Sequence, residues 1–271
     1  MEITDLKYLQ ATSKNIRIDI IKSISAAGSG HLGGSLGLAD IFIFLYFRFL
    51  VHNPSNPNCA MRDKLVLSIG HVAPVLYASL AHAGYFDKQE LKNLRKTGSM
   101  LQGHPSLTSG VPGIETASGS LGQGLSIAIG MALADKCDNI SRKIVCICGD
   151  GELQEGQVWE AAMSAAHHKL KNIIAIIDKN NVQIDGKTAD VMNIDPLKPK
   201  WEAFGWNAIE CNGNDFESIE SCFSNLNPNI PNVIIANTKM GKGLAEIENN
   251  YHWHGKAPNT EECNRFLNIL V

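Results

Sequence analysis

Oxygen-bearing groups follow two apolar segments of the chain, in a pattern suited to binding a hard metal ion. Asp150 follows the apolar segment 143–148, and Asn180 follows a second one, 172–178. If the two segments are neighbouring parallel strands, their carboxyl ends meet at one edge of a sheet, where ligands bind in open α/β folds. Asp150 offers a carboxylate, Asn180 an amide oxygen and Val182 a backbone carbonyl. Oxygen ligands with few charges favour Mg²⁺, with Ca²⁺ as a substitute, shared with a diphosphate.

Glycines on both sides of Asp150 leave room for phosphate. In the run Gly149-Asp150-Gly151-Glu152, backbone N–H groups beside the glycines can approach phosphate oxygens. Gly-Asp-Gly alone is more often a turn, and a pair of asparagines alone is more often a loop. Here they end two apolar strands that one helix separates. That arrangement favours a site for a diphosphate and its metal ion.

The elements around these residues predict the fold. Apolar segments of strand length occupy 64–68, 143–148, 172–178, 206–209 and 232–237. Segments with helical periodicity or a buried helical composition are 5–27, 38–51, 72–83, 124–135, 158–168 and 260–271. Strands that alternate with helices predict an α/β fold: a doubly wound, mostly parallel sheet with helices on both faces.

Two stretches are predicted to be loops. The Gly-rich stretch 28–34 and the Gly-, Pro- and Ser-rich stretch 101–122 are the two long loops. No repeat, low-complexity tract or linker interrupts the sequence. We therefore predict one domain, residues 1–271.

The composition excludes several partners. The 24 Lys and Arg against 27 Asp and Glu give a net charge of −3, so nothing electrostatic favours nucleic acid. No signal-peptide pattern follows Met1, and the most apolar early stretch, 41–51, is too short to span a bilayer. We expect a soluble, cytoplasmic protein. Its seven cysteines fit reduced thiols, with Cys146 and Cys148 packed in the core.

An ordered set of motifs resembles the transketolase family, whose members bind thiamine diphosphate. The Gly-Asp-Gly and Asn-Asn pair is one part of the set. The other motifs, in chain order, are Ser-Gly-His-Leu-Gly-Gly-Ser at 29–35, Ile-Gly-His-Val-Ala-Pro at 69–74, Gln-Gly-His-Pro at 102–105, Gly-Ser-Leu-Gly-Gln-Gly at 119–124, Gly-Glu-Leu-Gln-Glu-Gly at 151–156 and Trp-His-Gly at 253–255. The resemblance covers nearly the whole chain. It implies the thiamine-diphosphate-binding fold, in the form of the domain that binds the diphosphate.

Two positions depart from the family pattern. Leu32 stands where many relatives have Pro, and Ile69 stands where many have Lys. Both lie beside motif residues, and neither replaces an imidazole or a metal ligand. They bear on the substrate preference more than on the class of protein.

The resemblance also implies roles for individual residues. Sugar hydroxyls must be bound and deprotonated near neutral pH, which suits imidazoles. Two acidic residues resemble ones near the family's subunit interface. The expected catalytic residues are four histidines and these two acidic residues: His31, His71, His104, His254, Glu155 and Glu160. The expected cofactor-binding residues are His71, Gly119, Ser120, Leu121, Gly151, Glu152, Asn180 and His254. The expected metal ligands are Asp150, Asn180 and Val182.

The remaining histidines are expected to be structural or surface residues. Three of them, His52, His82 and His252, match no motif. His167 and His168 lie on a predicted helix, and a direct role is not favoured for either.

The resemblance implies a transferase of the pentose phosphate pathway. Such an enzyme moves a two-carbon ketol unit from a ketose phosphate to an aldose phosphate. A complete member has two further domains, and the next one supplies the glutamate that activates the aminopyrimidine ring of the cofactor. Only a short helix follows His254, with no candidate for that glutamate. Met1 and the closing helix favour a natural subunit. We therefore expect the partner to be a C-terminal transketolase subunit, with two copies of each chain in a heterotetramer.

Two other functions compete with this one. A related thiamine-diphosphate synthase of the deoxyxylulose-phosphate type is usually one long chain, and the loop 119–124 is more similar to that of transketolase. A non-catalytic regulatory homologue would be marked by the loss of metal ligands or histidines, and none is lost here.

Overall fold

A five-stranded parallel sheet forms the centre of the protein. The computed structural model describes residues 5–270. The strands are β1 (Lys64–Leu67), β2 (Ile144–Gly149), β3 (Ile173–Lys179), β6 (Asn207–Asn212) and β7 (Asn232–Asn237). They lie in the order β1-β2-β3-β7-β6, and every neighbouring pair is parallel. The predicted α/β sheet is confirmed.

A short antiparallel hairpin and a turn of helix follow β3. The hairpin consists of β4 (Val182–Gln183) and β5 (Gly186–Lys187), and the helix is α7 (Thr188–Val191). Residues 182–192, which contain all three, are called the hairpin segment below. The sequence did not predict this segment, because strands of two residues carry no periodic signal.

Helices cover both faces of the sheet, as predicted. They are α1 (Leu6–Ala27), α2 (Leu32–Gly37), α3 (Ala39–Phe44), α4 (Ala73–His82), α5 (Gly124–Cys137), α6 (Gly156–His167), α8 (Leu197–Ala203), α9 (Phe216–Ser224) and α10 (Thr260–Leu270). Among the described residues, no helix is both long enough and apolar enough to cross a membrane.

Successive strand residues point into two separate cores. In β2, Val145 and Ile147 pack with α1, α3, α4, α9 and α10, whereas Cys146 and Cys148 pack with α5, α6 and α8. This alternation is the period of two expected of a strand, and here both faces are apolar because helices cover both. The two cysteines are fully buried with their sulfurs 3.8 Å apart, so their predicted place in the core is confirmed.

The Gly-rich stretch 28–34, predicted to be a loop, is a loop only as far as His31. Helix α2 begins within it, at Leu32. The glycines of α2 permit close packing rather than an unusual backbone. A Cβ on Gly33 would lie 2.6 Å from Cγ of Met240, and one on Gly37 would lie 2.8 Å from the carbonyl oxygen of Lys239. Since the glycines allow these contacts, α2 fits directly against residues 239–240.

Other predicted boundaries shift by a few residues. The helix predicted over 38–51 is α3 continued by a π-helical turn, Leu45–Phe49. The strand predicted at 206–209 extends to Asn212. Helices α8 and α9 were not predicted. The last residue of the predicted C-terminal helix, Val271, lies outside the described residues.

A buried ion pair joins α1 to the α2–α3 region. Arg17 donates to both carboxylate oxygens of Asp40, at 3.1 and 2.7 Å, and to the carbonyl of Leu36 at 3.1 Å. Ser13 and Asn214 donate to the same carboxylate. Because both ions are less than 10% exposed, their charges depend on each other and on these added hydrogen bonds.

Replacing one ion of this pair should be strongly destabilising. In Asp40→Ala, the guanidinium of Arg17 stays buried without its partner, so the free energy of unfolding should fall by about 3–5 kcal/mol. Urea denaturation followed by circular dichroism measures the change. Arg265→Ala, which removes the exposed pair of Arg265 with Glu246, is the control and should change stability far less. Equal losses in the two variants would contradict this account of the buried pair.

Candidate active site

The carboxyl ends of β1, β2 and β3 open onto one cavity of about 330 Å³. Most of the predicted site residues line it: His31, His71, Leu121, Asp150, Gly151, Glu152, Glu155, Asn180, Val182 and His254. This is the location expected in an open α/β sheet. Residues from 31 to 254 meet here because the strand ends and α2 are neighbours in space.

The three predicted metal ligands lie together on the β2 and β3 sides of the cavity. Gly149 of β2 is in register with Asp178 of β3, so the residues after each strand are adjacent. Asp150 accepts the N–H of Asn181 at 2.5 Å. Asn180 donates its amide to Asp178 at 2.8 Å, and its amide oxygen accepts the N–H of Val182 at 2.9 Å. These bonds fix the side-chain orientation of Asn180 and the turn that carries Val182.

The carboxylate of Asp150 is suited to a cation. It is 2% exposed, and burial together with the nearby Asp178 raises its pKa to about 7. Within residues 5–270, no Lys, Arg or His forms an ion pair with it. A buried carboxylate of this kind, beside an amide oxygen and a backbone carbonyl, matches the oxygen ligands that Mg²⁺ and Ca²⁺ take. The residues present therefore fit a divalent ion.

Glu152 holds the loops of the site to one another. One carboxylate oxygen accepts from the hydroxyl of Ser68 and from the N–H of Gly122 at 2.8 Å, and the other accepts from the N–H of Gly149 at 3.1 Å. The hydroxyl of Ser68 in turn accepts the N–H of Gly124 at 3.1 Å. Glu152 lines the cavity, but its carboxylate bonds with these protein groups. In the structure it positions the loops, and its contact with the cofactor stays a prediction.

The loop 119–122 forms one wall of the site. Leu121 faces the cavity and is 37% exposed, whereas Gly119 and Ser120 are exposed and do not line it. Gly122 has φ 83°, and a Cβ there would lie 2.8 Å from Cβ of Glu155, so both the backbone and the packing require glycine.

Three imidazoles form a cluster on the opposite side. The ring centroids of His31 and His71 are 4.8 Å apart, those of His71 and His254 are 5.3 Å apart, and those of His31 and His254 are 5.6 Å apart. The Nδ1 atoms of His31 and His254 are buried and have no hydrogen-bond partner in the described part of the chain.

The cluster keeps its imidazoles neutral. Burial, followed by the charges of the other histidines, lowers the pKa of His71 to about 3. Burial and the same neighbours, with Arg95, lower the pKa of His31 to about 4, and burial lowers the pKa of His254. A neutral imidazole donates one hydrogen bond and accepts another. At neutral pH the cluster can therefore both donate to and accept from sugar hydroxyls.

His104 lies at the edge of this group. It does not line the cavity, and its ring packs against Gly119. Burial and the charge of Arg95 lower its pKa. Arg95 is a residue that the sequence did not single out. Its exposed side chain lies close to His31 and His104, and the Gly-His-Pro motif gave no signal for a cation eight to ten residues before it.

The remaining predicted residues lie as follows. Glu155 is exposed at the rim of the cavity, and Glu160 is exposed on α6 outside it. The five histidines for which no role was favoured do not line the cavity: His52, His82, His167, His168 and His252. Three uncharged residues that the sequence did not single out do line it: Gln154, Gln183 and Ile184.

Comparison with known proteins agrees with this geometry. Residues 9–270 match the family model described as transketolase, thiamine diphosphate binding domain. The chain is 43% identical over 265 residues to one subunit of the apulose-4-phosphate transketolase of Actinobacillus succinogenes, over 97% of this chain and 95% of that protein. It is 43% identical to the 6-deoxy-6-sulfo-D-fructose transketolase subunit SqwG of a Clostridium species, over 89% of this chain and 88% of that protein.

A solved structure shows the same fold. The crystal structure of transketolase from Campylobacter jejuni superposes with a TM-score of 0.92 at 37% identity, over 98% of this chain but only 43% of that chain. This chain thus spans less than half of that enzyme. The fold is that of the family's thiamine diphosphate binding domain. The chain belongs to the transketolase family, and corresponds to the N-terminal part of its single-chain members.

The low pKa of His71 makes the protein sensitive to acid. Because the folded-state pKa is below the unfolded value of 6.5, the unfolded state binds more protons at pH 5, and stability falls as the pH drops from about 6.5 toward 3. Between pH 8 and pH 5, His71 should contribute a loss of about 2 kcal/mol. His71→Asn removes the titrating group, so its unfolding free energy should fall less over this range. Parallel losses in wild type and variant, measured by urea denaturation, would contradict this.

Proposed function

We propose that this chain is the N-terminal subunit of a two-chain transketolase. The enzyme transfers a two-carbon ketol unit from a ketose phosphate to an aldose phosphate. One observation carries the proposal: the buried carboxylate of Asp150, without a cationic partner among the described residues, shares a cavity with three neutral imidazoles. A metal-diphosphate site beside a group of uncharged donors and acceptors suits this chemistry.

Asp150, Asn180 and the carbonyl of Val182 would hold Mg²⁺, or Ca²⁺ in its place. Bound thiamine diphosphate would supply a nucleophilic carbon and an electron sink for the two-carbon unit. Gly151 and the loop 119–121 would contact the cofactor. Glu152 would keep the loop 119–124 at a fixed distance from β2, through its bonds to Gly122 and Gly149.

The histidines would bind the sugar. The imidazoles of His31 and His254 line the cavity and are suited to hydroxyl or carbonyl oxygens of the donor, and the ring of His71, from the turn after β1, packs against both of them. As neutral bases, these imidazoles can accept a proton from a hydroxyl and return it. His104, beside Gly119, would contact the sugar at the outer edge of the site.

A second chain would complete the enzyme. Three relatives of similar length are named as subunits, and this chain spans 43% of the single-chain transketolase of C. jejuni. Around the cavity, Leu121, Ile184 and Met192 are 37%, 61% and 61% exposed. Exposed apolar side chains of this kind are typical of a surface that binds another protein. The proposed partner is a C-terminal transketolase subunit, with two copies of each chain and interface positions for Glu155 and Glu160.

The substrate is proposed only as a class. The named substrates of the two subunit relatives, apulose 4-phosphate and 6-deoxy-6-sulfo-D-fructose, are both anionic sugars. An anionic ketose is therefore the proposed donor. A cytoplasmic location, a role in the pentose phosphate pathway and a single domain over residues 1–271 belong to the same proposal. The deoxyxylulose-phosphate alternative is not favoured, because these relatives are named transketolases.

Removing the carboxylate of Asp150 should abolish metal-dependent cofactor binding. In Asp150→Asn, the affinity for thiamine diphosphate in the presence of Mg²⁺ should fall on the order of 100-fold or more, because a charged ligand is lost. Calorimetric titration, with the candidate partner present, measures it. Asp185→Asn, on the exposed turn of the hairpin segment, is the control. Unchanged affinity in Asp150→Asn would refute the assignment of the metal site.

The chain alone should not transfer two-carbon units. The assay combines the purified chain with Mg²⁺, thiamine diphosphate, a ketose phosphate and an aldose phosphate, and is repeated with a candidate partner encoded by an adjoining reading frame. Turnover is expected only in the second case, since the partner is proposed to supply the glutamate that activates the aminopyrimidine ring. Full turnover by the isolated chain would contradict the two-chain proposal and leave the family assignment intact.

A further inference from the structure

The hairpin segment, residues 182–192, has few buried contacts of its own. Only Val182 and Thr188 are buried within it, at 5% and 3% exposure, while Ile184 and Met192 are each 61% exposed. Segments with little buried surface open at low free energy. The carbonyl of Val182, a proposed metal ligand, is therefore part of a segment that packing alone holds weakly.

The side chain of Gln154 bonds to both ends of this segment. Its Nε2 donates to Oε1 of Gln183 at 2.8 Å and to the carbonyl oxygen of Met192 at 2.9 Å. Gln154 is the last residue of the turn that begins at Gly151, directly after Asp150. One amide group thus connects the loop that carries Asp150 with both ends of the loop that carries Val182.

Other contacts join the segment to Asn181, Asp150 and Gly151. Thr188 donates its N–H to the carbonyl of Asn181 at 3.1 Å, and its hydroxyl lies 3.4 Å from the carboxylate of Asp150. The side chain of Gln183 lies over Gly151, where an added Cβ would be 3.4 Å from Cβ of Gln183. These contacts hold the segment at Gln183 and Thr188, whereas the bond from Gln154 to Met192 holds its far end.

We propose that Gln154 is a positioning residue, which fastens the hairpin segment to the Asp150 turn and so sets the distance of the Val182 carbonyl from Asp150 and Asn180. Gln154 is not itself a metal ligand. Its effect on the metal rests on the proposed function, whereas its effect on the mobility of the segment does not. Losing its bonds should therefore loosen the segment first and weaken metal binding as a consequence.

The test uses Gln154→Met, which keeps the length of the side chain and removes the amide. Hydrogen–deuterium exchange of the purified chain, without added ligand, should become roughly tenfold faster in residues 183–192, the size expected for one to two net hydrogen bonds. Exchange in β2 and β3 should not change. Gln102→Met is the matched control: it removes an amide that donates to the carbonyl of Ser99, outside the cavity lining, and should leave the hairpin segment unchanged.

The second measurement is the Mg²⁺ concentration that gives half-maximal thiamine diphosphate binding, in the preparation, chain or complex, in which wild type binds. Gln154→Met should raise it about tenfold, and saturating Mg²⁺ should restore the wild-type affinity, since the three proposed ligands remain. Unchanged exchange in residues 183–192, faster exchange that extends equally into β2 and β3, or binding that no Mg²⁺ concentration restores would each overturn the proposal. If wild type itself binds no cofactor, the proposed function fails, and the exchange result still decides the role of Gln154.

Discussion

The site depends on one buried carboxylate. Glu152 is 2% exposed, and burial raises its pKa, yet its two oxygens accept bonds from Ser68, Gly122 and Gly149. These residues belong to the end of β1, the loop before α5 and the end of β2. A buried acceptor of this strength is stable only while its donors stay in place. The loops it connects are therefore held at fixed distances from one another.

Around this fixed centre the cavity has two chemically different sides. The β2 and β3 side carries Asp150, a buried carboxylate suited to a cation. The other side carries the imidazoles of His31, His71 and His254, which burial keeps neutral. An ion and its diphosphate fit the first side, and uncharged sugar hydroxyls fit the second. The fold separates the two because the strand ends supply one, and α2 with the C-terminal loop supplies most of the other.

The sequence was sufficient to predict the parts of the fold that local patterns determine. Parallel strands covered on both faces are continuous apolar runs, so the strands that precede Asp150 and Asn180 could be located along with the edge they share. It could not predict what depends on distant residues. The glycines of α2 indicated a loop, because Met240, the side chain that requires Gly33, lies some two hundred positions away. The partners of Glu152 and Gln154 likewise become neighbours only in the folded chain.

The contact of α2 with residues 239–241 has a consequence for how this sequence can vary. Gly33 accepts the N–H of Gly241 at 2.8 Å, with no room for a side chain against Met240. His31 lies two residues before Gly33, and His254 follows on the chain that leaves Met240. A larger residue at 33 would meet the side chain of Met240 and also the backbone carbonyl oxygen of Trp253, 3.0 Å from an added Cβ, and a smaller residue at 240 would relieve only the first of these contacts. Glycine at 33 therefore helps to set the spacing between the two histidines, because Trp253 directly precedes His254.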